Sequence, residues 1–321
     1  MKPTRDGAVP DVDFLSTHRS PEGAPLAKAQ RTQDAVIVGY QQSHASARAL
    51  VWAADEASSL SVPLFVARAW RWDEDFAETP LAPSQATLID TAQTTLPDID
   101  PVTVAGLRLV LCDGEPAGDL ERLAAYGQMM VVGRRRIPLT QRLFNGSVSR
   151  HLVAAADRPV VVVPDSHAPI KELGPIVVGV SESRAASAAV EWASRRAVRR
   201  NEELLLINVY PAEAVIRTDV GTDETVSGRG SFAASALLLD RAAALARETA
   251  GPSLLIRRQS VPGTAERALL EACAHGALLV LGRHRRSWPG HRVGYIADFV
   301  LRHAELPIAV IPDQARPESP R

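Results

Sequence analysis

The sequence repeats itself over most of its length, and this repeat restricts the possible folds more than any other feature. Ala35–Gly39 (AVIVG) recurs as Pro175–Gly179 (PIVVG) 140 positions later, and the same interval separates Trp52 from Trp192. A constant interval across several elements is the signature of a duplicated structural unit. The chain is therefore predicted to contain two homologous domains.

The later part of each unit repeats at a slightly larger interval. Gly133 corresponds to Gly282 at an interval of 149, and Pro159–Pro164 corresponds to Pro307–Pro312 at 148. The second copy must therefore hold extra residues, and the segment 211–235, rich in Gly, Thr and Asp, is predicted to be a loop that contains them. The predicted boundaries are a flexible N-terminal extension at 1–33, a first domain at 34–164, a linker at 165–174, a second domain at 175–312 and a flexible tail at 313–321.

Composition limits the class of protein and of partner. The chain has 321 residues, of which 46% are hydrophobic and 23% charged, as in globular proteins with a packed core. A formal net charge of -1 argues against binding to nucleic acid or to an anionic membrane. The two cysteines lie far apart, outside any metal-binding spacing, and the first 33 residues lack the apolar core of a signal peptide, so a cytoplasmic protein is expected.

Within each unit, short apolar runs alternate with segments of helical periodicity. A run such as Val36–Gly39, apolar and ended by glycine, is typical of a strand buried on both faces of a parallel sheet. The alternation predicts an α/β fold of two tandem doubly wound parallel-sheet domains with about five strands each. In the first unit we predict strands at Val36–Gly39, Leu64–Trp70, within Val102–Val110, Met129–Gly133 and Val160–Val163, and helices at Ser43–Ser59 (capped by Ser43), Ser84–Leu96, Gly118–Gln128 and Ser147–Ala156.

Glycines follow the first and fourth predicted strands of the first unit. Ligands of open α/β sheets bind beyond the carboxyl ends of the strands, where the strand order reverses. Gly39–Gln41 follows the first strand, Gly133 ends the fourth, and Gly146–Val148 opens a helix whose free N–H groups attract an anion. The pattern predicts a phosphate site, although neither a Walker A loop nor a GxGxxG fingerprint is present.

The loop after the fourth strand resembles that of nucleotide-binding universal stress proteins. In that family the loop reads G-x2-G-x9-G-[ST]; here Gly133 and the pair Gly146-Ser147 have that spacing, and Arg136 stands at the middle glycine position. The resemblance extends over both units, so the chain is similar to tandem members of the universal stress protein family. It implies a Rossmann-like fold, related to the adenine nucleotide α-hydrolases, in each unit.

The resemblance also implies a site for ATP or another adenine nucleotide in the first unit. Gln41 stands where the family tends to have aspartate, and an amide is a poor ligand for Mg²⁺, which prefers carboxylate oxygens. The Arg136 side chain intrudes where backbone should approach the phosphates. The implied site residues are Gly39, Tyr40, Gln41, Ala69 facing the adenine, Gly133, Arg136, Gly146, Ser147 and Val148.

The corresponding site of the second unit departs further from the family pattern. Tyr295 replaces the small hydroxyl residue after the last glycine, and the spacing from Gly282 to Gly294 is one residue short. A tyrosine there removes room and a donor for a phosphate, so a degenerate second site is predicted. Its positions are Gly179, Ser181, Gly282, Arg285 and Gly294.

Basic clusters follow the loop glycines at Arg134–Arg136 and His284–Arg286. Their guanidinium groups either bind phosphate or form a solvated basic loop, and the sequence leaves both interpretations open. Cys112 and Cys273 are not equivalent in the repeat, so small buried side chains are expected rather than redox sensors. No serine or cysteine is paired with a base, and no dedicated catalytic activity is expected.

Three functions remain open at this point: a nucleotide-binding sensor, a relative that has lost nucleotide binding and acts through protein contacts, and a slow ATPase. Domains of the family often pair through their last strands. The resemblance therefore implies that Val160–Val163 and Ile308–Ile311 join within one chain as an internal pseudo-dimer, or that a homodimer forms. The sequence does not identify a regulatory protein partner.

Overall fold

The two units build one continuous β-sheet covered by helices. The computed structural model describes residues 13–15, 35–41, 43–70, 107–113, 116–135, 148–166, 174–211, 226–283 and 293–313, with backbone alone described at 13–15, 68–70, 107–113 and 226–230. Within these ranges the chain forms eleven strands and seven helices. The predicted α/β fold is confirmed.

The first unit follows the predicted order of elements wherever it is described. The strands at Val36–Gly39 and Leu64–Trp70 have the predicted bounds, whereas the predicted helix Ser84–Leu96 lies outside the described residues. One strand, at the N-terminal edge, was not predicted. The elements are β1 (Asp13–Leu15), β2 (Val36–Gly39), α1 (His44–Leu60), β3 (Leu64–Trp70), β4 (Leu107–Asp113), α2 (Pro116–Ala124), β5 (Met129–Arg134), α3 (Val148–Ala155) and β6 (Val160–Pro164).

The second unit repeats this order from β7 onward. The prediction of a loop over 211–235 was wrong for its last ten residues, because α5 begins at Val226. Its later turns are buried against the sheet, and a helix held in this way extends easily over upstream residues of weak propensity such as glycine. The elements are β7 (Ile176–Gly179), α4 (Arg184–Arg200), β8 (Leu204–Tyr210), α5 (Val226–Ala250), β9 (Ile256–Pro262), α6 (Ala265–Cys273), β10 (Leu278–Gly282), α7 (Tyr295–His303) and β11 (Ile308–Ile311).

The strand order shows how the two units are joined. The sheet runs β1-β4-β3-β2-β5-β6-β11-β10-β7-β8-β9. All neighbours are parallel except β6 and β11, which are antiparallel with Val161 opposite Ala309. These two residues are themselves equivalent in the repeat, since they lie 148 positions apart. The last strands therefore pair within one chain about a pseudo-twofold axis.

The core has two layers, one on each face of the sheet. Helices α1, α4 and α5 cover one face, where Trp52 is buried in the core and Trp192 is partly buried against the same layer. Helices α2, α3, α6 and α7 cover the other. Strands β2, β6 and β11 are buried along their whole length, as their uniformly apolar sequences require. Among the described residues, no helix has the length and apolar character needed to cross a membrane.

Candidate functional site

The strand order of the first unit reverses between β2 and β5. From β2 the chain proceeds to β3 on one side, and later returns to β5 on the other side. The two crossovers leave the sheet on opposite faces, which opens a crevice at the carboxyl ends of these two strands. Gly39 is in register with Val132, so Gly133 and Arg134 project one and two residues further. The structure thus brings together the two glycine-containing segments that the sequence singled out.

Tyr40 and Gln41 have different environments at this edge. The Tyr40 side chain is buried, and its N–H donates to the carbonyl of Ala67 at 2.9 Å, which fixes the backbone where β2 ends. Gln41 is exposed. The backbone of Ala69 pairs with that of Cys112, but the Ala69 side chain lies outside the described residues. Of the described residues Gly39–Gln41 at this strand end, Gln41 is the one that is exposed.

Gly133 is required by packing between a strand and a helix. A Cβ atom at this position would lie 2.7 Å from the backbone nitrogen of Ser46 and closer still to the carbonyl of Ala45, in the first turn of α1. Gly282 has the same relation to α4, with a Cβ 2.5 Å from the nitrogen of Ala186. Close packing against a helix thus explains the first glycine of the loop pattern without a ligand.

The first turn of α1 is capped by its own serines. Ser43 Oγ accepts from the N–H of Ser46 at 3.3 Å, and Ser46 Oγ accepts from the N–H of Ser43 at 3.0 Å. This reciprocal capping box confirms the predicted cap at Ser43. The next residue, His44, has its Nδ1 2.6 Å from Asp165 Oδ1, which ties the start of α1 to the end of β6.

Arg134 and Arg283, which follow the loop glycines, bind the opposite unit. Arg134 donates from Nη1 to the carbonyl of Arg302 at 3.0 Å and from Nη2 to that of Ala304 at 2.8 Å, at the end of α7. Arg283 donates from Nη1 to the carbonyls of Ala154 at 3.2 Å and Ala156 at 2.6 Å, at the end of α3. The two contacts are related by the pseudo-twofold axis. Each arginine supplies donors to carbonyls that have no partner within their own helix.

The two sequence interpretations of the cluster Arg134–Arg136, phosphate binding or a solvated loop, do not include the contact that Arg134 makes, and Arg283 lies immediately before the second cluster, His284–Arg286. Arg134 is half-buried and the Arg283 side chain is only 5% exposed, and the donors described above point to helix ends rather than into the crevice. Arg135 is exposed, while Arg136 and residues 284–286 lie outside the described residues. A signal was available in the sequence: arginine follows the equivalent glycine in both units, as expected for a contact shared across a twofold axis.

The phosphate side of the predicted site is described only in part. Val148 begins α3 and is half-buried against the second core layer. Arg136, Gly146 and Ser147 lie outside the described residues. The roles predicted for these three residues remain predictions.

The described residues of the predicted second site have contacts within the second unit. A Cβ at Gly179 would lie 2.8 Å from Cδ2 of Leu281, at the movable end of a side chain on the neighbouring strand β10. Ser181 Oγ lies 3.0 Å from the hydroxyl of Ser183, the residue that caps α4. Gly294 caps α7 without a side-chain bond, and a Cβ there would meet nothing within 4 Å. Tyr295 is 67% exposed. Arg285 lies outside the described residues.

A cleft of about 510 Å³ lies beside this second site, between α4 and α5. Ser181, Glu182 and Arg241 contribute polar atoms, and Val190 and Leu245 form part of its apolar wall. Gly282 and Gly294 do not line it. The cleft is therefore a groove between α4 and α5 that reaches the carboxyl end of β7 at Val180–Glu182.

The described residues offer no group of three or more His, Cys, Asp or Glu side chains that could hold a metal ion. His151 Nε2 lies 2.6 Å from Glu121 Oε2, and His303 Nδ1 lies 2.8 Å from the carbonyl of Phe299. These histidines have partners along helices and between them.

Cys273 is buried, as expected, and burial raises the pKa of its thiol to about 12. At pH 8 the native thiol is almost wholly protonated, so we expect iodoacetamide to alkylate it at least about 100-fold more slowly than in the unfolded chain. The measurement uses a Cys112→Ser variant, so that one thiol reports, with and without urea. Similar rates in both states contradict this assignment of Cys273 as an inert packing residue.

Comparison with known proteins agrees with the duplicated architecture. The model of the universal stress protein family matches residues 33–164 and again residues 172–312. The chain belongs to the universal stress protein family. It is 25% identical over 300 residues to universal stress protein Rv2005c of Mycobacterium tuberculosis, which covers 87% of this chain and 97% of the relative. A universal stress protein of Mycolicibacterium smegmatis is 26% identical over 296 residues with the same coverage.

Solved structures support the same fold. A universal stress protein from Archaeoglobus fulgidus superimposes with a TM-score of 0.60 at 15% identity, covering 88% of this chain and 98% of that one. At this identity the likeness concerns the fold alone. The universal stress protein described here thus shares its two-unit architecture with relatives of nearly the same length.

Proposed function

We propose that this universal stress protein is a stress-response module that binds an adenine nucleotide in its first unit. The observation that carries the proposal is the reversal of strand order between β2 and β5, where the buried Tyr40 and the exposed Gln41 follow β2 beside Gly133. Parallel α/β sheets bind ligands at such reversals. The spacing of Gly133, Gly146 and Ser147, which resembles that of nucleotide-binding family members, favours phosphate recognition.

The first unit is the better of the two sites. It retains Ser147 after the last loop glycine, where the second unit has the exposed Tyr295. Gln41 bonds a ribose hydroxyl through its amide, and the absence of a carboxylate at this position disfavours a magnesium ion. Binding then shifts the population of a regulatory conformation. Two cysteines without a pairing partner in sequence favour the cytoplasm as its location.

A thermal-shift titration tests this proposal. AMP, cAMP and ATP are each added to the purified protein, and the melting temperature is followed with GTP as the reference nucleotide. A ligand at 100 times its Kd stabilises the folded state by about 2.7 kcal/mol, which raises the melting temperature by several degrees in a chain of this size. A flat melting temperature with all adenine nucleotides at millimolar concentration contradicts nucleotide binding.

Matched glycine variants test which unit binds. Gly146→Val places a side chain at the predicted phosphate contact, and we expect it to abolish the shift. Gly294→Val is its counterpart in the second unit, where space is open, and we expect it to leave the shift unchanged. An equal loss in both variants contradicts the ranking of the two sites.

A second candidate function is a family member that works through protein contacts alone. The observation that favours it is the packing of Gly133 and Gly282 against helix backbones, because both loop glycines are then explained without nucleotide. The departures at Gln41, Arg136, Ser181 and Tyr295 point the same way. The titration above separates the candidates, since this one predicts no shift with any nucleotide.

A further inference from the structure

Equivalent residues of the two units meet each other at the centre of the molecule. Arg196 Nε donates to Glu56 Oε2 at 3.1 Å, and Arg199 Nε donates to Ser59 Oγ at 2.9 Å. In both contacts the partners lie 140 positions apart, which is the interval of the repeat in this region. The pseudo-twofold axis that relates β6 to β11 thus also passes between α1 and α4.

The central contact is buried and charged. The Glu56 side chain has no exposed surface, and that of Arg196 is 5% exposed. Arg199 forms a second ion pair with Glu56, and Arg196 also pairs with Glu202. The Arg196 guanidinium lies 5.7 Å from the centre of the Trp52 ring, within range of a cation–π interaction. Every charge at this centre therefore has a partner of opposite sign across the interface or beside it.

The charges differ between the two copies although the positions are equivalent. The face of α1 presents Glu56 and Ser59, and the face of α4 presents Arg196 and Arg199. If two copies of the first unit met in this geometry, Glu56 would lie buried against its own copy. Two copies of the second unit would place Arg196 against itself. Burial of like charges without partners is strongly unfavourable, whereas the unlike pair satisfies both groups.

We propose that this charge pair selects the partner of each unit: the α1 face accepts an α4 face and rejects a second copy of itself. The α1 face is defined here by Trp52, Glu56 and Ser59, and the α4 face by Arg196 and Arg199. Strand pairing between β6 and β11 does not discriminate in this way, because both strands are apolar and uniformly buried. Discrimination among similar partners commonly depends on such a repulsive element as well as on attraction.

The experiment separates the two units and measures which pairs form when they reassociate. A protease site is placed within 167–173, in the predicted linker, and the cleaved full chain is unfolded in urea and refolded by dilution. Native mass spectrometry then separates the three pairs, since the two units differ in mass. We expect the unchanged sequence to give only the unlike pair. In Glu56→Leu/Arg196→Leu/Arg199→Ser, both faces carry the same residues at these positions, and we expect all three pairs.

Two further variants serve as controls that separate a change in pairing from a general loss of folding. Arg195→Leu removes an exposed ion pair with Glu191 on the same helix, and we expect it to give only the unlike pair. Glu56→Arg alone places arginine opposite Arg196, and we expect a clear fall in recovery of the unlike pair. The proposal is overturned if the unchanged sequence gives like pairs, if the triple variant still gives only the unlike pair, or if no pair reassembles once the linker is cut.

Discussion

Replacing Gly133 with alanine is expected to lower the free energy of unfolding by about 3 kcal/mol, the upper range for overpacking a tight site. The added methyl group lies 2.7 Å from the nitrogen of Ser46 and nearer to the Ala45 carbonyl, and backbone atoms cannot rotate away as a side chain can. Helix α1 must then shift along the sheet. Urea unfolding followed by circular dichroism measures the loss.

Gly294→Ala is the matched control for this prediction. The same methyl group enters open space there, and the cost is expected to stay below about 1 kcal/mol, as for loss of a glycine N-cap. Gly282→Ala repeats the crowded geometry in the second unit and is expected to cost as much as the first variant. If Gly133→Ala and Gly294→Ala unfold at the same urea concentration, the packing role assigned to Gly133 is wrong.

Replacing Arg283 with alanine is expected to cost about 3 kcal/mol of stability, because several carbonyls at the end of α3 lose a charged donor inside the protein. The acceptors are the carbonyls of Val153, Ala154 and Ala156, at 3.4, 3.2 and 2.6 Å. The loss is again measured by urea unfolding. Arg283→Lys is expected to recover only a fraction, since the lysine side chain is shorter and ends in a strongly hydrated ammonium group.

Arg135→Ala provides the control for the arginine prediction. Arg135 belongs to the same kind of basic cluster but is exposed, and its removal is expected to change stability by less than about 0.5 kcal/mol. The loss of stability in Arg134→Ala is expected to lie between those of Arg283→Ala and Arg135→Ala, because the Arg134 donors bind two carbonyls at a less buried position. Equal stability of the Arg283→Ala and Arg135→Ala variants contradicts the inter-unit role of Arg283.

Local pattern predicted much of the fold. The strands Val36–Gly39 and Leu64–Trp70 were predicted with their observed bounds. In this fold class, a short apolar run that is ended by glycine or a polar residue usually forms a buried strand. Ser43 was recognised as a cap because a hydroxyl residue preceded a segment of helical periodicity. The repeat then transferred these assignments to the second unit.

Contacts between distant parts of the chain could not be predicted in the same way. The turns of α5 before Ser235 have the composition of a loop and continue a helix whose later turns are buried in the core layer. Strand β1 depends on pairing with β4, far along the sequence. The partners of Arg134 and Arg283 become visible only when the two units are placed about a common axis.

The single antiparallel step between β6 and β11 also sets the direction in which each unit faces. Because every other neighbouring pair is parallel, the strands of the second unit run opposite to those of the first. The carboxyl ends of β2 and β5 therefore lie at one end of the molecule, and those of β7 and β10 lie at the other end. A partner protein bound over the first of these ends leaves the second uncovered. The molecule therefore has two separate strand-end surfaces, and the proposed function places a nucleotide at only one of them.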